Sequence, residues 1–263
     1  MEKFNLSQTE KKFEALIEIV SKLRSPDGCP WDIEQTSKSL IPYFIEEVYE
    51  VVEAIDNEDW GAVKEELGDV MLHLIFQALI AEEQKKFSIQ DSIASISDKL
   101  IRRHPHVFEN EKANNSLHAN QNWERAKHKE KKRKSRIDGV PKGLPSIIQA
   151  QRLQQKASYS GFDWKNSKDV WKKINEEIEE LKAAEKDGDI DQIENELGDA
   201  IFSLVNLARF LDISAENALR KTNDKFKNRF RYIEKVLKKN GKKFEETKLK
   251  ELDKYWNEAK GKE

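Results

Sequence analysis

A single cysteine, Cys29, stands among 263 residues. No intrachain disulfide can form, and a reducing compartment is the simpler expectation. Residues 1–9 are polar and mixed, unlike the apolar core of a signal peptide. No stretch approaches the roughly 18 consecutive apolar residues of a membrane helix. A chain without membrane spans, working in the cytoplasm, is expected. Charge of one sign is also missing: 37% of residues are charged, yet the formal net charge is only −2. A dense, balanced surface of this kind lacks the field that draws a protein to nucleic acid or anionic lipid. Strand alternation is absent too. Apolar residues recur instead at helical spacing, as in Phe13, Leu16, Ile17, Val20 and Leu23.

Further stripes follow at Val48, Val51, Val52 and Ile55, at Leu67, Val70, Met71, Leu74 and Ala78, and at Ile89, Ile93, Ile96 and Leu100. The second half repeats the plan with Val170, Ile174, Ile178 and Leu181, then Leu197, Ala200, Ile201 and Leu204. Between the halves, residues 109–145 are poor in large apolar side chains. They carry a basic run at 129–136 and the breakers Gly139, Pro141, Gly143 and Pro145. The basic run reads as a solvated helix end, because no aromatic residues are interleaved for base stacking. The expected organisation is an all-α chain with a first domain over 1–136, a linker over 137–145 and a second domain over 146–263.

What the chain does have is a four-acid pattern written twice. Glu46-Glu47-x-x-Glu50 precedes Glu66-Leu67-Gly68-Asp69, and Glu176-Glu177-x-x-Glu180 precedes Glu196-Leu197-Gly198-Asp199. The offset is 130 residues both from Glu47 to Glu177 and from Asp69 to Asp199, so the spacing inside the motif is kept. Carboxylates three apart share one helix face. At about 100° per residue, Glu50 lies about 300° round the helix from Glu47 while Val48, Val51, Val52 and Ile55 span about 40–140°. The acids therefore sit on the shoulder of the apolar stripe, where they can meet across a helix–helix seam. Clustered carboxylates repel one another unless a cation neutralises them.

The two copies filter each other. Glu53 matches Ala183, Glu65 matches Asn195 and His73 matches Ser203, so none of these is needed twice. Glu46 and Glu176 match but point further toward solvent. With no histidine repeated, the ligand set is oxygen-only. That suits magnesium, or manganese in its place, better than the Glu-x-x-His pairs of helical di-iron sites. Lys99 and Arg103 match Lys225 and Arg229, at a four-residue spacing that can hold phosphate oxygens. Trp123-x-x-Ala126-Lys127 matches Trp256-x-x-Ala259-Lys260, where a tryptophan can stack on a base or pack on a helix. Cys29-Pro30-Trp31-Asp32 loosely parallels Gly161-Phe162-Asp163-Trp164; with no matched cysteine, the loop reads as closing a site rather than supplying a nucleophile.

EExxE followed by ExxD and a lysine/arginine helix resembles the MazG family of nucleoside triphosphate pyrophosphohydrolases. CPWD and the RRHPHVF segment at 102–108 strengthen the likeness to its two-domain bacterial form. The resemblance implies two tandem four-helix domains, each completed by dimerisation, and magnesium-dependent cleavage of NTP or dNTP to the monophosphate and pyrophosphate. Carried over, the metal ligands are Glu177, Glu180, Glu196 and Asp199, with Lys225, Arg229 and Trp256 contacting nucleotide. Their counterparts are Glu47, Glu50, Glu66, Asp69, Lys99, Arg103 and Trp123. The catalytic set is Glu177, Glu180, Glu196, Asp199, Lys225 and Arg229. Asn175, Asn195, Asn206 and Asn223, where the first copy has Ile45, Glu65, Phe76 and Ser97, favour the second copy as the working site, since amides read base edges. Two alternatives stand beside this reading. One is a narrower dUTP or dCTP pyrophosphatase; the other is a non-catalytic nucleotide-binding stress regulator with a protein partner.

Overall fold

The computed structural model describes residues 6–109, 115–130 and 134–262, and part of the basic run at 129–136 lies outside them. Among the described residues there is no strand, and no helix is long and apolar enough to cross a membrane. The chain divides into two compact units, Met1–Ala113 and Asn114–Glu263.

The first unit runs α1 (Leu6–Leu23), α2 (Pro30–Glu34), α3 (Ile41–Asp56), α4 (Trp60–Glu83), α5 (Ile89–Arg103) and α6 (Pro105–Phe108). Val20, Leu40, Ile75, Phe76 and Ile80 form its core, joined by Phe13, Leu16 and Ile17 of α1. The turn after α1 needs Gly28, because a Cβ there would stand 2.2 Å from the Leu23 carbonyl oxygen. Arg24 then ties the ends of α1 and α4 together. Its Nη2 and Nε donate to Glu83 at 2.7 and 2.8 Å, and its Nη1 donates to the Asp32 carbonyl at 2.6 Å.

The second unit runs α7 (Ser116–Glu130), α8 (Ser146–Tyr159), α9 (Ser167–Asp187), α10 (Ile190–Phe210), α11 (Ala215–Lys239) and α12 (Leu249–Lys260). Val170, Ile174 and Leu207 hold α9 on α10, and Ile233, Leu237 and Tyr255 hold α11 on α12. Here the structure departs from the expected domain boundaries. Helix α7, placed by the sequence in the first domain, packs on α8, fastened by Lys156 Nζ donating to Glu124 Oε2 at 2.7 Å. Trp123 therefore falls within the second unit.

The repeat extends into the hairpin turns. Asp59 caps α4 by accepting from Gly61 and Ala62, and Asp189 caps α10 by accepting from Asp191 and Gln192. Just before each cap the backbone turns left-handed, at Glu58 (φ 56°) and at Gly188 (φ 78°). A side chain in that region costs about 1–2 kcal/mol and glycine relieves it. Glu58→Gly therefore raises first-unit stability, by about 0.5–1 kcal/mol once the looser unfolded chain is allowed for, read as a higher thermal midpoint.

Several stripes expected to be core are open to solvent in the single chain. Leu67, Met71 and Leu74 on α4 are exposed, and so are their counterparts Leu197, Ile201 and Leu204 on α10. Each hairpin buries one side of its apolar surface within the chain and leaves the other uncovered.

Candidate metal centre

The α3–α4 and α9–α10 hairpins bring the acids together across their seams. One carboxylate oxygen from each of Glu47, Glu66 and Asp69 lies within 4.8 Å of the others, and the same holds for Glu177, Glu196 and Asp199. Glu50 and Glu180, one turn along from Glu47 and Glu177, flank these trios. Burial raises the Glu47 carboxyl above its usual 4.5, helped by the charges of Glu50, Asp69 and Glu66. Burial and Glu50 raise Glu66 likewise. Burial and Glu177 raise Glu180, with Lys173 pulling the other way. Within each trio three carboxylates crowd and repel one another, and such a set fits a hard divalent cation, which would remove the repulsion and accept oxygen ligands.

The two trios differ at their edges. In the second, Lys173 Nζ pairs with Glu177 at 2.6 Å and Glu176 at 2.7 Å, and both contacts hold its pKa up. The first copy has Tyr43 at that position. In the first, His73 comes within 4.0 Å of Glu47, where the second copy has Ser203 bonded back to the Ala200 carbonyl. Neither His73 nor Lys173 is repeated, so the likeness between the copies does not point to them. Their signal was local: each stands four residues along the helix from a motif acid, and such positions share a face.

Among the cationic candidates, Arg229 lies with its guanidinium carbon 5.3 Å from the Trp256 ring centroid, so these two are brought together. Phe226 also packs on Trp256, with centroids 5.2 Å apart. Lys225 is exposed on α11, Lys99 is half-buried, and Arg103 is buried on α5. Of the amides that distinguish the second copy, Asn206 accepts from Arg209 Nε at 2.9 Å, while its counterpart Phe76 is committed to the core. Cys29 stands just before α2; Arg24 links the Asp32 carbonyl to Glu83 of α4, and Asp163 pairs with Arg209 of α10, so both loops are tied to their hairpins.

The family model described as the MazG nucleotide pyrophosphohydrolase domain matches residues 35–108 and 165–246. A Thermotoga maritima protein named nucleoside triphosphate pyrophosphohydrolase/pyrophosphatase MazG is 47% identical over 251 residues, 95% of this chain and 96% of that protein. An Escherichia coli nucleoside triphosphate pyrophosphohydrolase is 40% identical over 258 residues, 96% of this chain and 98% of that protein. The uncharacterized protein YabN of Bacillus subtilis is 45% identical over 252 residues, which make up 52% of its length. With both hairpins inside the matched segments and the relatives aligned almost end to end, the chain belongs to the MazG family.

Proposed function

We propose that the chain is a nucleoside triphosphate pyrophosphohydrolase, a hydrolase of phosphorus-containing anhydrides that works with a divalent cation. The observation that carries this reading is the pair of carboxylate trios, built at matched positions in a chain that spans nearly the full length of pyrophosphohydrolase relatives.

In the second unit Glu177, Glu180, Glu196 and Asp199 hold the cation, and the oxygen-only set suits magnesium, with manganese as a substitute. A cation bound there supplies Lewis-acid neutralisation of the triphosphate's charge. The chain's own groups do the rest. Lys225 and Arg229, one helical turn apart on α11, pair with phosphate oxygens and stabilise charge on the departing pyrophosphate. Lys173 holds Glu177 in place and adds positive charge at the rim of the site. Trp256, braced by Arg229 and Phe226, offers a ring on which a base stacks. In the first unit Glu47, Glu50, Glu66 and Asp69, with Lys99 and Arg103, are the corresponding set; Trp123 is the matched tryptophan in sequence.

A homodimer is supported by the uncovered stripes. The same three positions are exposed on α4 and α10 in both copies of the repeat, as expected of seams that close against a second chain. Magnesium-dependent release of pyrophosphate from mixed NTPs tests the activity, with omission of the metal abolishing it. Nucleotide binding without turnover would instead favour a regulator. Competition among nucleotides separates broad NTP use from a dUTP- or dCTP-specific enzyme.

A further inference from the structure

The cations at matched positions are not equal in the two copies. In the second unit Lys173 and Arg229 are half-buried and Lys225 is exposed, so all three reach the surface. In the first unit Tyr43 stands in place of Lys173, and Arg103 is only 4% exposed, which leaves Lys99 to meet a ligand. Rings replace the lost charge. Tyr43 precedes Glu47 by one turn of α3, the spacing at which Lys173 reaches Glu177. Trp31 of α2 meets Tyr43 edge-on, with centroids 5.9 Å apart and planes at 76°. Both rings are open to solvent, Trp31 at 51% and Tyr43 at 44% exposure. Edge-on packing leaves ring faces uncovered, and a base can stack there. The turn that carries Trp31 is held in place. Arg24 Nη1 donates to the Asp32 and Gln35 carbonyls at 2.6 and 3.3 Å, and Gln35 Nε2 donates to the Trp31 carbonyl at 2.9 Å. Little ordering is then left to pay on binding.

We propose that the first-unit site binds a nucleoside monophosphate, with its base on the Trp31–Tyr43 wall and its phosphate toward the acid trio and Lys99. This rests on the reading of the acid quartets as cation sites that take nucleotides, and it names a different nucleotide for one of them. Charge complementarity selects the ligand. A triphosphate carries more negative charge than a monophosphate, and each cation at the rim offsets part of it. The rim with Lys173, Lys225 and Arg229 suits the triphosphate. A rim that presents Lys99 alone suits a single phosphate. The monophosphate is the product of the reaction proposed for the second unit, so the first copy senses product instead of repeating the hydrolysis.

Equilibrium dialysis of the full-length chain with magnesium tests the proposal. The probes are AMP, GMP, CMP and UMP, and an NTP analogue with methylene in place of the oxygen between its α and β phosphorus atoms. Glu196→Ala is expected to lose the analogue and to keep a class of sites for monophosphate. In that background Trp31→Ala weakens the monophosphate class about 10-fold, the loss of one stacked base. Trp31→Phe retains it, and an unchanged unfolding midpoint shows that both variants are folded. Tyr43→Lys restores a rim cation and shifts the class toward the analogue. Monophosphate binding that vanishes with Glu196→Ala overturns the proposal, since product then binds only where it is made. Binding that is unchanged in Trp31→Ala overturns it as well; a lowered oligomeric state in that variant would show the rings packing on a second copy. Absence of pyrophosphate release from the unmodified chain overturns the enzyme reading instead, and the Trp31→Ala result still decides the monophosphate site.

Discussion

Glu196→Ala lowers magnesium-dependent pyrophosphate release from NTP by about 10²–10⁴-fold, the size expected when a ligand of a cation contributing several kcal/mol is lost. Glu66→Ala costs far less. The two residues hold matched places in matched trios, so the difference comes from their surroundings. Beside the second trio stands Lys173, paired with Glu177; the first copy offers Tyr43. The second unit also assembles Arg229 over Trp256. Phe76 lies in the core where the second copy presents Asn206. Steady-state release of pyrophosphate at saturating magnesium measures both variants. Equal losses would sink the asymmetry, and no loss in either would sink the assignment of the acids to catalysis.

Glu124→Ala destabilises the second unit by about 3–5 kcal/mol, the usual effect of stranding one partner of a buried ion pair. The Lys156 side chain is only 3% exposed, and its ammonium donates to Glu124 at 2.7 Å. Without the carboxylate that charge is buried with no counter-ion. Lys127 and Arg152 stand further off, 3.6 and 4.0 Å from the same carboxylate, and keep their access to water. Adding Lys156→Met to Glu124→Ala recovers most of the loss, because two apolar groups replace two charges. Denaturant unfolding measures both variants, and hydrogen exchange across α7 reports whether that helix comes loose from α8.

The pH dependence has a defined sign. Burial raises the Glu124 carboxyl, but Lys156, Lys127 and Arg152 outweigh it and hold the group below its usual 4.5. A depressed carboxyl stabilises the fold above 4.5 and loses that contribution as pH falls through its lowered value. The stability gap between the unmodified chain and Glu124→Ala therefore narrows below pH 4.5 and stays constant at neutral pH.

Helical periodicity, the 130-residue offset and the ExxE/ExxD spacing are local features, and each could be read from residue order alone. Wheel positions placed the acids at the edge of an apolar stripe, and the hairpins bring those same acids to within 4.8 Å of one another. Periodicity marks an apolar face without saying what covers it. Leu67, Met71 and Leu74 have the pattern of core residues, yet the single chain leaves them exposed. Helix α7 shows a similar limit. Its position before the glycine- and proline-rich segment suggested the first domain, but the ion pair to Lys156 sets its place, and a pairing across 32 residues leaves no periodic trace.

By itself the sequence determined the all-α class, the tandem repeat and the acids shared by both copies, because helix geometry converts spacing directly into faces. Asn175, Asn195, Asn206 and Asn223 already set the copies apart in residue order, but only the tertiary structure decided which unshared residues border the acids. His73 and Lys173 matter through a distance to Glu47 and to Glu177, and comparing the copies position by position retains only what they share. Through-space approach and burial arise when helices pack, and they gave two acid trios with different borders from one acid pattern.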